Sequence, residues 1–360
     1  MAQDYAPWDD DFRALFRRVI ERVGRCAGEV GESHSTLPLQ GCGHFMTEAA
    51  LRSFVPPGGR ILIPQTGAYA DRMTRLAREA GRVVVGLPVA PDARADARAV
   101  AAALAADPGI GHVGLVYSET GSGVIHDPAA IGAVVRAAGR RMILDAISAY
   151  GALPLDLAAQ PEIDAAVFTV NKCLEALPGI AFVLARNDRL DACGGPARNS
   201  WAGSWSFDLA DIRAHLRRTR GGSRFTPSPQ SIAALDVALE LHAAEGRVAR
   251  LARYTANART LYDGVLGLGL APCLPREMQG PVVLNVHAPD DPAWDLQAFV
   301  AALKARGVLI SNFYNTPEPS FRVGCIGAVS PDDMRRAVAA IGGALDALGV
   351  RNRGAARRAA

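Results

Sequence analysis

The chain has 360 residues, of which 49% are hydrophobic and 21% charged, and its formal net charge is +3. The last ten residues carry four arginines and no acid, so the rest of the chain is near −1. A nearly neutral body does not favour nucleic-acid binding. This composition is typical of a globular protein, and the length allows one large domain and a smaller one.

Cysteine spacing and the N-terminal residues exclude several further classes of protein. The six cysteines include no Cys-x-x-Cys pair, which disfavours a zinc site or a disulfide framework. The acidic N-terminus does not resemble a signal peptide, and no apolar run approaches the roughly 20 residues that span a bilayer. We therefore expect a soluble, cytoplasmic protein without a bound metal.

Strands and helices are predicted to alternate through the first half of the chain. Apolar residues at helical spacing predict an amphipathic helix over residues 12–27. Strands are predicted at residues 35–40, 60–64, 83–85, 112–117, 142–146, 167–170 and 180–185, and helices at 47–54, 66–80, 95–106 and 127–139. This alternation indicates the α/β class, with a mostly parallel sheet covered by helices on both faces.

The second half of the chain has a different pattern. After an irregular connection at 200–226, helices are predicted at 228–244, 246–266, 296–304 and 331–348, and strands at 282–286 and 307–310. We predict a large domain over residues 1–230, a small α+β domain over 231–350, and a disordered basic tail over 351–360.

Two polar residues at predicted strand ends indicate chemistry. Asp145 ends one apolar strand, and Lys172 follows the next strand, 27 residues later. Burying an ammonium group is costly, and that cost is tolerated when the amine must react with a carbonyl. An Asp that pairs with a pyridinium nitrogen and a Lys that forms a Schiff base suit pyridoxal 5′-phosphate.

A glycine-rich turn is predicted between the first strand and the following helix. Its residues, Gly41, Cys42, Gly43 and His44, would present backbone N–H groups at a helix N-terminus, where phosphate groups bind. A plain tight turn is an equal alternative for a single Gly-x-Gly.

Several motifs in this order resemble the class V aminotransferases, which are fold-type I pyridoxal-phosphate enzymes. Asp-Ala-x-Ser from Asp145 and Asn-Lys-Cys around Lys172 are typical of the family, and Phe-Arg-x-Gly-x-Ile-Gly from Phe321 points to members that act on an aminophosphonate. The matching stretches are 39–43, 66–73, 117–120, 145–151, 171–173, 178–182, 224–226 and 321–327.

The resemblance implies a role for each matched residue near the cofactor. Lys172 would hold the cofactor and move a proton, and Asp145 would keep the pyridine nitrogen protonated. The residues implied in cofactor binding are Gly41, Cys42, Gly43, His44, Tyr69, Thr120, Asp145, Lys172 and Thr226. Tyr69 would stack on the ring, and Thr120 would lie near its phenolic oxygen.

The resemblance also implies substrates and partners. Arg322 would bind the carboxylate or phosphonate of the substrate. Thr226 would reach the phosphate of a neighbouring subunit, which implies a homodimer. The implied reaction moves an amino group between an aminophosphonate and a 2-oxo acid. Transfer between alanine or serine and glyoxylate, or from a related amine, is the alternative.

Two other functions fit the sequence less well. Lyase or desulfurase chemistry with the same cofactor would need a catalytic cysteine, and Cys325 is the candidate in a suitable segment. Binding of NAD is disfavoured because no Gly-x-Gly-x-x-Gly follows the first strand.

Overall fold

The computed structural model describes residues 4–28, 31–193, 200–313, 316 and 318–355. The chain divides into two units. Unit 1 comprises residues 1–89, 95–117 and 126–247, and unit 2 comprises residues 90–94, 118–125 and 248–360.

Unit 1 is built on a seven-stranded sheet. Its strands are β1 (His34–Gln40), β2 (Arg60–Gln65), β3 (Val83–Pro88), β4 (Ile110–Val116), β5 (Arg141–Asp145), β6 (Ile163–Thr169) and β7 (Ile180–Arg186). The spatial order is β1-β7-β6-β5-β4-β2-β3. Only β7 runs antiparallel to its neighbours, so β1 runs in the same direction as β6. The mostly parallel α/β sheet predicted from the sequence is confirmed.

Most helices of unit 1 pack directly onto this sheet, whereas the fourth packs mainly on the fifth and the eighth mainly on the first. In chain order, the helices are α1 (Asp10–Arg25), α2 (Gly43–Phe54), α3 (Ala68–Glu79), α4 (Ala97–Ala106), α5 (Pro128–Ala137), α6 (Asn187–Ala192), α7 (Leu209–Arg218) and α8 (Pro229–Glu245). Local sequence starts several of them. Asp127, for example, accepts hydrogen bonds from two N–H groups in the first turn of α5, and Pro128 at the start of the helix has no N–H that would need an acceptor.

Unit 2 pairs two strands beside long helices. Its elements are α9 (Arg247–Gly267, whose first residue ends unit 1), β8 (Val283–His287), α10 (Leu296–Ala305), β9 (Ser320–Gly324) and α11 (Pro331–Leu348). The strands are antiparallel, with Asn285 directly opposite Arg322. Phe299, Phe321 and Leu284 lie in the buried core.

The division between the units differs from the predicted boundary at residue 230. Helix α8 belongs to unit 1, because Asp236 on α8 accepts hydrogen bonds from Arg18 and Arg22 on α1 at 2.7 and 2.6 Å. Residues 90–94 and 118–125 belong to unit 2, although they lie between elements of unit 1 along the chain.

Three local predictions are corrected. Residues 307–310 form no strand, and Leu309 is 76% exposed there. Helix α2 begins at Gly43 instead of residue 47. The tail is ordered as far as Ala355, because Arg351 and Asn352 donate backbone hydrogen bonds to Asp291. Residues 356–360 lie outside the described part of the chain. No helix within that part is long and apolar enough to cross a membrane.

Candidate active site

The carboxyl ends of the parallel strands in unit 1 bring several predicted site residues to one edge of the sheet. Asp145 is the last residue of β5 and pairs in register with Val167 of β6. Lys172 lies three residues after β6 ends, and Gly41 directly follows β1. Ligands of open α/β sheets bind beyond this edge. The structure therefore places the predicted Asp and Lys on neighbouring strands.

Asp145 is a buried carboxylate with a fixed orientation. Its Oδ1 accepts a hydrogen bond of 2.9 Å from the backbone N–H of Ile147. Burial raises the pKa of Asp145 to about 6, and the Ile147 bond and the charge of Arg72 oppose that rise. A carboxylate in this setting gains from a positively charged partner.

Lys172 is half-buried in a tight turn that follows β6. Its carbonyl oxygen accepts a bond of 3.0 Å from the N–H of Glu175, whose φ is +59°. The next two residues, Cys173 and Leu174, are fully buried and anchor the turn. Among the described residues, the Lys172 ammonium has no hydrogen-bond or salt-bridge partner. Its amine is therefore held at the strand edge without being paired there.

The turn from Gly41 to His44 opens helix α2 with uncapped N–H groups. The N-cap residue Cys42 makes no side-chain capping bond, and its Sγ lies 3.2 Å from Nδ1 of His44. A Cβ on Gly43 would lie 2.4 Å from Cδ1 of Ile147, so a larger residue here would force the Ile147 side chain to move. Gly41 has φ of +129°, which also favours glycine. The helix N-terminus is thus held against the loop that follows Asp145.

Tyr69 and Arg72 lie in the first turns of α3. Tyr69 is partly buried against the core, and Cζ of Arg72 lies 5.0 Å from the centre of its ring. Burial lowers the pKa of His44, and the Arg72 charge lowers it further. Arg72 therefore adds positive potential that acts on both His44 and Asp145. The sequence patterns gave Arg72 no role, although it lies in the matched stretch 66–73.

Two predicted site residues lie together in unit 2. Arg322 on β9 donates a hydrogen bond of 3.0 Å from Nη1 to the carbonyl oxygen of Thr120. Thr120 is buried, and Arg322 is partly buried. Thr226, by contrast, is exposed in the connection between α7 and α8 of unit 1. Thr120 and Arg322 therefore contact each other within unit 2, whereas Thr226 lies at the surface of unit 1.

Buried cysteines do not favour lyase chemistry. Cys325 is fully buried, and burial raises the pKa of its thiol to about 12. A thiol in this state is a poor nucleophile. Within the described ranges, no group of three metal-ligating side chains could hold a metal ion.

The seven-stranded, mostly parallel sheet has the fold of the fold-type I pyridoxal-phosphate-dependent transferases. The aminotransferase class-V family matches residues 29–310, well over half of the chain. This protein belongs to the class-V aminotransferase family.

Individual relatives cover nearly the whole chain. It is 43% identical over 351 residues to the 2-aminoethylphosphonate–pyruvate transaminases of Burkholderia ambifaria and Burkholderia pseudomallei, covering 97% of this chain and 92% and 93% of theirs. Among solved structures, pyridoxamine–pyruvate aminotransferase from Mesorhizobium loti superposes with a TM-score of 0.86 at 27% identity, covering 98% of this chain and 88% of that one.

The residues at the strand edge of unit 1 fit pyridoxal 5′-phosphate, the cofactor of this family. The uncapped start of α2 suits a phosphate, and the glycine at position 43 keeps the surface free of a side chain. The Thr169 hydroxyl at the end of β6 is buried without a hydrogen-bond partner among the described residues. The buried Asp145 and the Lys172 amine at the strand edge supply the anion and the amine that this cofactor requires.

Proposed function

We propose that this protein transfers an amino group between 2-aminoethylphosphonate and pyruvate, with phosphonoacetaldehyde and alanine as the other pair. The observation that carries the chemistry is the placement of Asp145 and Lys172 at the ends of neighbouring parallel strands. Support for the substrate pair comes from the relatives of that name, which match along nearly the full chain. The physiological direction stays open to either phosphonate breakdown or phosphonate synthesis.

We assign the cofactor contacts as follows. The turn from Gly41 to His44 would hold the phosphate through the N–H groups of Cys42, Gly43 and His44, since the N–H of Gly41 already donates to the carbonyl oxygen of Gly179 at 2.8 Å. Tyr69 would cover the ring. Asp145 would accept a hydrogen bond from the protonated pyridine nitrogen, whose positive charge would offset the cost of burying the carboxylate. Thr120 would lie near the phenolic oxygen.

Lys172 and Arg322 act on the substrate. Bound pyridoxal 5′-phosphate supplies an electron sink that stabilises negative charge at the substrate carbon. The Lys172 amine removes the proton from that carbon and returns a proton during transfer. The planar guanidinium of Arg322 binds the phosphonate or carboxylate through paired hydrogen bonds.

A labelling experiment tests the role of Lys172. The chain contains two lysines, Lys172 and the exposed Lys304 on α10. Borohydride reduction of the loaded protein should attach the cofactor to a peptide that contains Lys172, as measured by mass spectrometry. Lys172→Ala should lose this label and its visible absorption band. Lys304→Ala is the matched control and should keep both. A label on Lys172→Ala would contradict the assignment.

Half-reactions test the substrate pair. The loaded enzyme is mixed separately with 2-aminoethylphosphonate, alanine and serine, and its visible spectrum is followed. We expect 2-aminoethylphosphonate and alanine to change the spectrum to that of the amino form. A response to serine and alanine without one to 2-aminoethylphosphonate would instead favour the alanine/serine–glyoxylate alternative.

We also propose a homodimer with shared sites, in which Thr226 contacts the phosphate bound by the neighbouring subunit. Mixed dimers of Lys172→Ala and Thr226→Ala chains should then contain one site with both native residues. That site should bind the cofactor with wild-type affinity in an equilibrium titration. If every site with Lys172 shows the weak affinity of the Thr226→Ala homodimer, the sites are not shared. A cytoplasmic location remains a prediction.

A further inference from the structure

Residues 118–125 belong to unit 2, although they follow β4 of unit 1 closely along the chain. Ser118 and Ile125 form an antiparallel bridge with each other, and Val124 forms another with Gln279. The N–H of Gly280 also donates to the carbonyl oxygen of Gly123 at 3.1 Å. The segment is therefore a small hairpin whose outer contacts come from unit 2.

Two side chains on the β8–β9 ladder hold successive carbonyl groups of this hairpin. Nδ2 of Asn285 donates to the oxygen of Gly121 at 3.1 Å, and Nη1 of Arg322 donates to the oxygen of Thr120 at 3.0 Å. Asn285 and Arg322 are directly opposite in register, so both side chains leave the same face of the ladder. Asn285 is 2% exposed, and its amide is committed to this contact.

Further contacts fix the plane of the Arg322 guanidinium. Its Nε donates to Oγ of Ser311 at 3.2 Å, and its Cζ lies 5.3 Å from the centre of the Phe313 ring. An aromatic ring at this distance attracts the cation and covers one face of it. An anion that binds through hydrogen bonds must approach in the guanidinium plane, so the orientation of that plane decides how well it binds.

We propose that Asn285 is a positioning residue for the anionic group of the substrate. It fixes the Gly121 carbonyl, and since Thr120 is the preceding residue, it also fixes the carbonyl that orients Arg322. The inference rests on the proposed role of Arg322 in binding the phosphonate. A shift of the Thr120 backbone would therefore also move the Arg322 guanidinium, because Nη1 of Arg322 donates a hydrogen bond to the Thr120 carbonyl oxygen.

Binding of methylphosphonate tests this role without catalysis. This probe carries the anionic group and no amine, and its dissociation constant is measured by isothermal titration calorimetry on the loaded enzyme. Asn285→Leu removes the donor at similar volume and should weaken binding about three- to tenfold, the effect of one net hydrogen bond. Asn285→Ala is made in parallel in case the leucine variant does not fold.

Asn257→Leu is the matched control. Asn257 is also a fully buried asparagine of unit 2, and its Nδ2 donates to the carbonyl oxygens of Cys325 and Val329 at 3.0 Å each. This variant should be less stable but should bind methylphosphonate like the wild type. Equal weakening in both asparagine variants would show a general loss of structure and would overturn the positioning role.

Hydrogen exchange gives a second measurement, independent of the anion. The N–H of Glu119 bonds to Val124 at 3.0 Å and that of Gly123 bonds to Glu119 at 2.7 Å, so peptides covering 118–125 should exchange slowly. Exchange should become faster in Asn285→Leu and stay unchanged in Asn257→Leu. Unchanged exchange or unchanged binding in Asn285→Leu overturns the inference.

Arg322→Ala separates this inference from the function on which it rests. Wild-type affinity for methylphosphonate in Arg322→Ala would remove Arg322 from the anion site and contradict the proposed function. Weak binding in Arg322→Ala together with wild-type binding in Asn285→Leu would overturn the positioning role alone.

Discussion

At the scale of single residues, Asp145 combines two opposing demands. The carboxylate must be ionised to hold a protonated ring nitrogen, yet it is buried at the end of β5, where ionisation is costly. Burial therefore raises its pKa to about 6 in the protein without cofactor. The cofactor would supply the positive charge that this position lacks, so cofactor binding and folding stability should be linked at this residue.

Asp145→Asn should stabilise the cofactor-free protein at pH 8. Because folding raises the pKa from its ordinary value near 4, Asp145 favours the folded state below about pH 4, and this contribution is lost as pH rises through about 6. The asparagine amide is uncharged and avoids this loss. Asp145→Asn should therefore raise the free energy of unfolding at pH 8 by about 2–3 kcal/mol at most. Urea unfolding at pH 4 and pH 8 measures the difference. The exposed Asp71→Asn is the control. An equal effect of Asp145→Asn at both pH values would contradict the prediction.

Residue patterns in the sequence predicted Asp145 and Lys172 because each places a charge at the end of an apolar, β-branched run, where packing alone does not favour a charge. Asn285 gave no such signal, since it lies inside a predicted strand and its partner Gly121 is 164 residues away. Arg72 likewise acts through space on His44 and Asp145. Contacts of this kind depend on the fold and have no local pattern.

At the scale of elements, helix α2 is held at its C-terminal end by a buried arginine. Arg82 lies just before β3, and its guanidinium donates to the carbonyl oxygens of Arg52 at 2.6 Å, Val55 at 2.8 Å and Trp201 at 2.8 Å. The last carbonyls of a helix otherwise lack partners. Burial lowers the pKa of Arg82 to about 10, so it remains charged at neutral pH.

Arg82→Met should destabilise the protein by about 3 kcal/mol, because several buried carbonyls lose a charged donor. Arg82→Lys should recover part of the loss, since an ammonium group cannot reproduce the planar fork. Arg78→Met, at an exposed position on α3, is the control and should be nearly neutral. Urea denaturation monitored by circular dichroism measures these changes. A similar loss in both methionine variants would argue against the capping role.

The strands of unit 1 were predictable because β5 and β6 are almost completely buried and read as continuous apolar runs. The same rule failed at residues 307–310, where the apolar run is short and Leu309 is exposed. The start of α2 was also misplaced, since glycine and histidine have low helix propensity. In the structure, Gly43 and His44 are nevertheless the first residues of the helix.

At the scale of the whole molecule, the C-terminal residues 351–355 are hydrogen-bonded to residues 289–291 of unit 2. The N–H of Asp290 donates to the carbonyl oxygen of Gly354 at 2.8 Å, and Pro289 forms a bridge with Ala355. Asp291 accepts from the N–H groups of Arg351 and Asn352 at 2.8 Å each. Charge composition predicted a solvated tail here, and composition could not reveal these backbone bonds.

Deleting residues 351–360 should lower the melting temperature by a few degrees, because these hydrogen bonds are lost, whereas deleting 356–360 should leave it unchanged. Differential scanning calorimetry of both truncated chains measures the effect. Identical melting temperatures in the two truncations would show that residues 351–355 contribute nothing to stability.

The sequence predicted two domains but not the interleaving of chain segments between the two units. Domain prediction assumes contiguous segments, and here unit 2 takes residues 90–94 and 118–125 from within unit 1. The long-range bonds that fix this division join positions 164 and 202 residues apart.

The hairpin of residues 118–125 has a consequence for the order in which the protein is made. On the ribosome it emerges long before β8 and β9, so its carbonyls at Thr120 and Gly121 must wait for Asn285 and Arg322 to be synthesised. A fragment of residues 248–360 expressed alone would lack the hairpin. Chimeric enzymes that exchange unit 2 between relatives must therefore carry residues 118–125 with it.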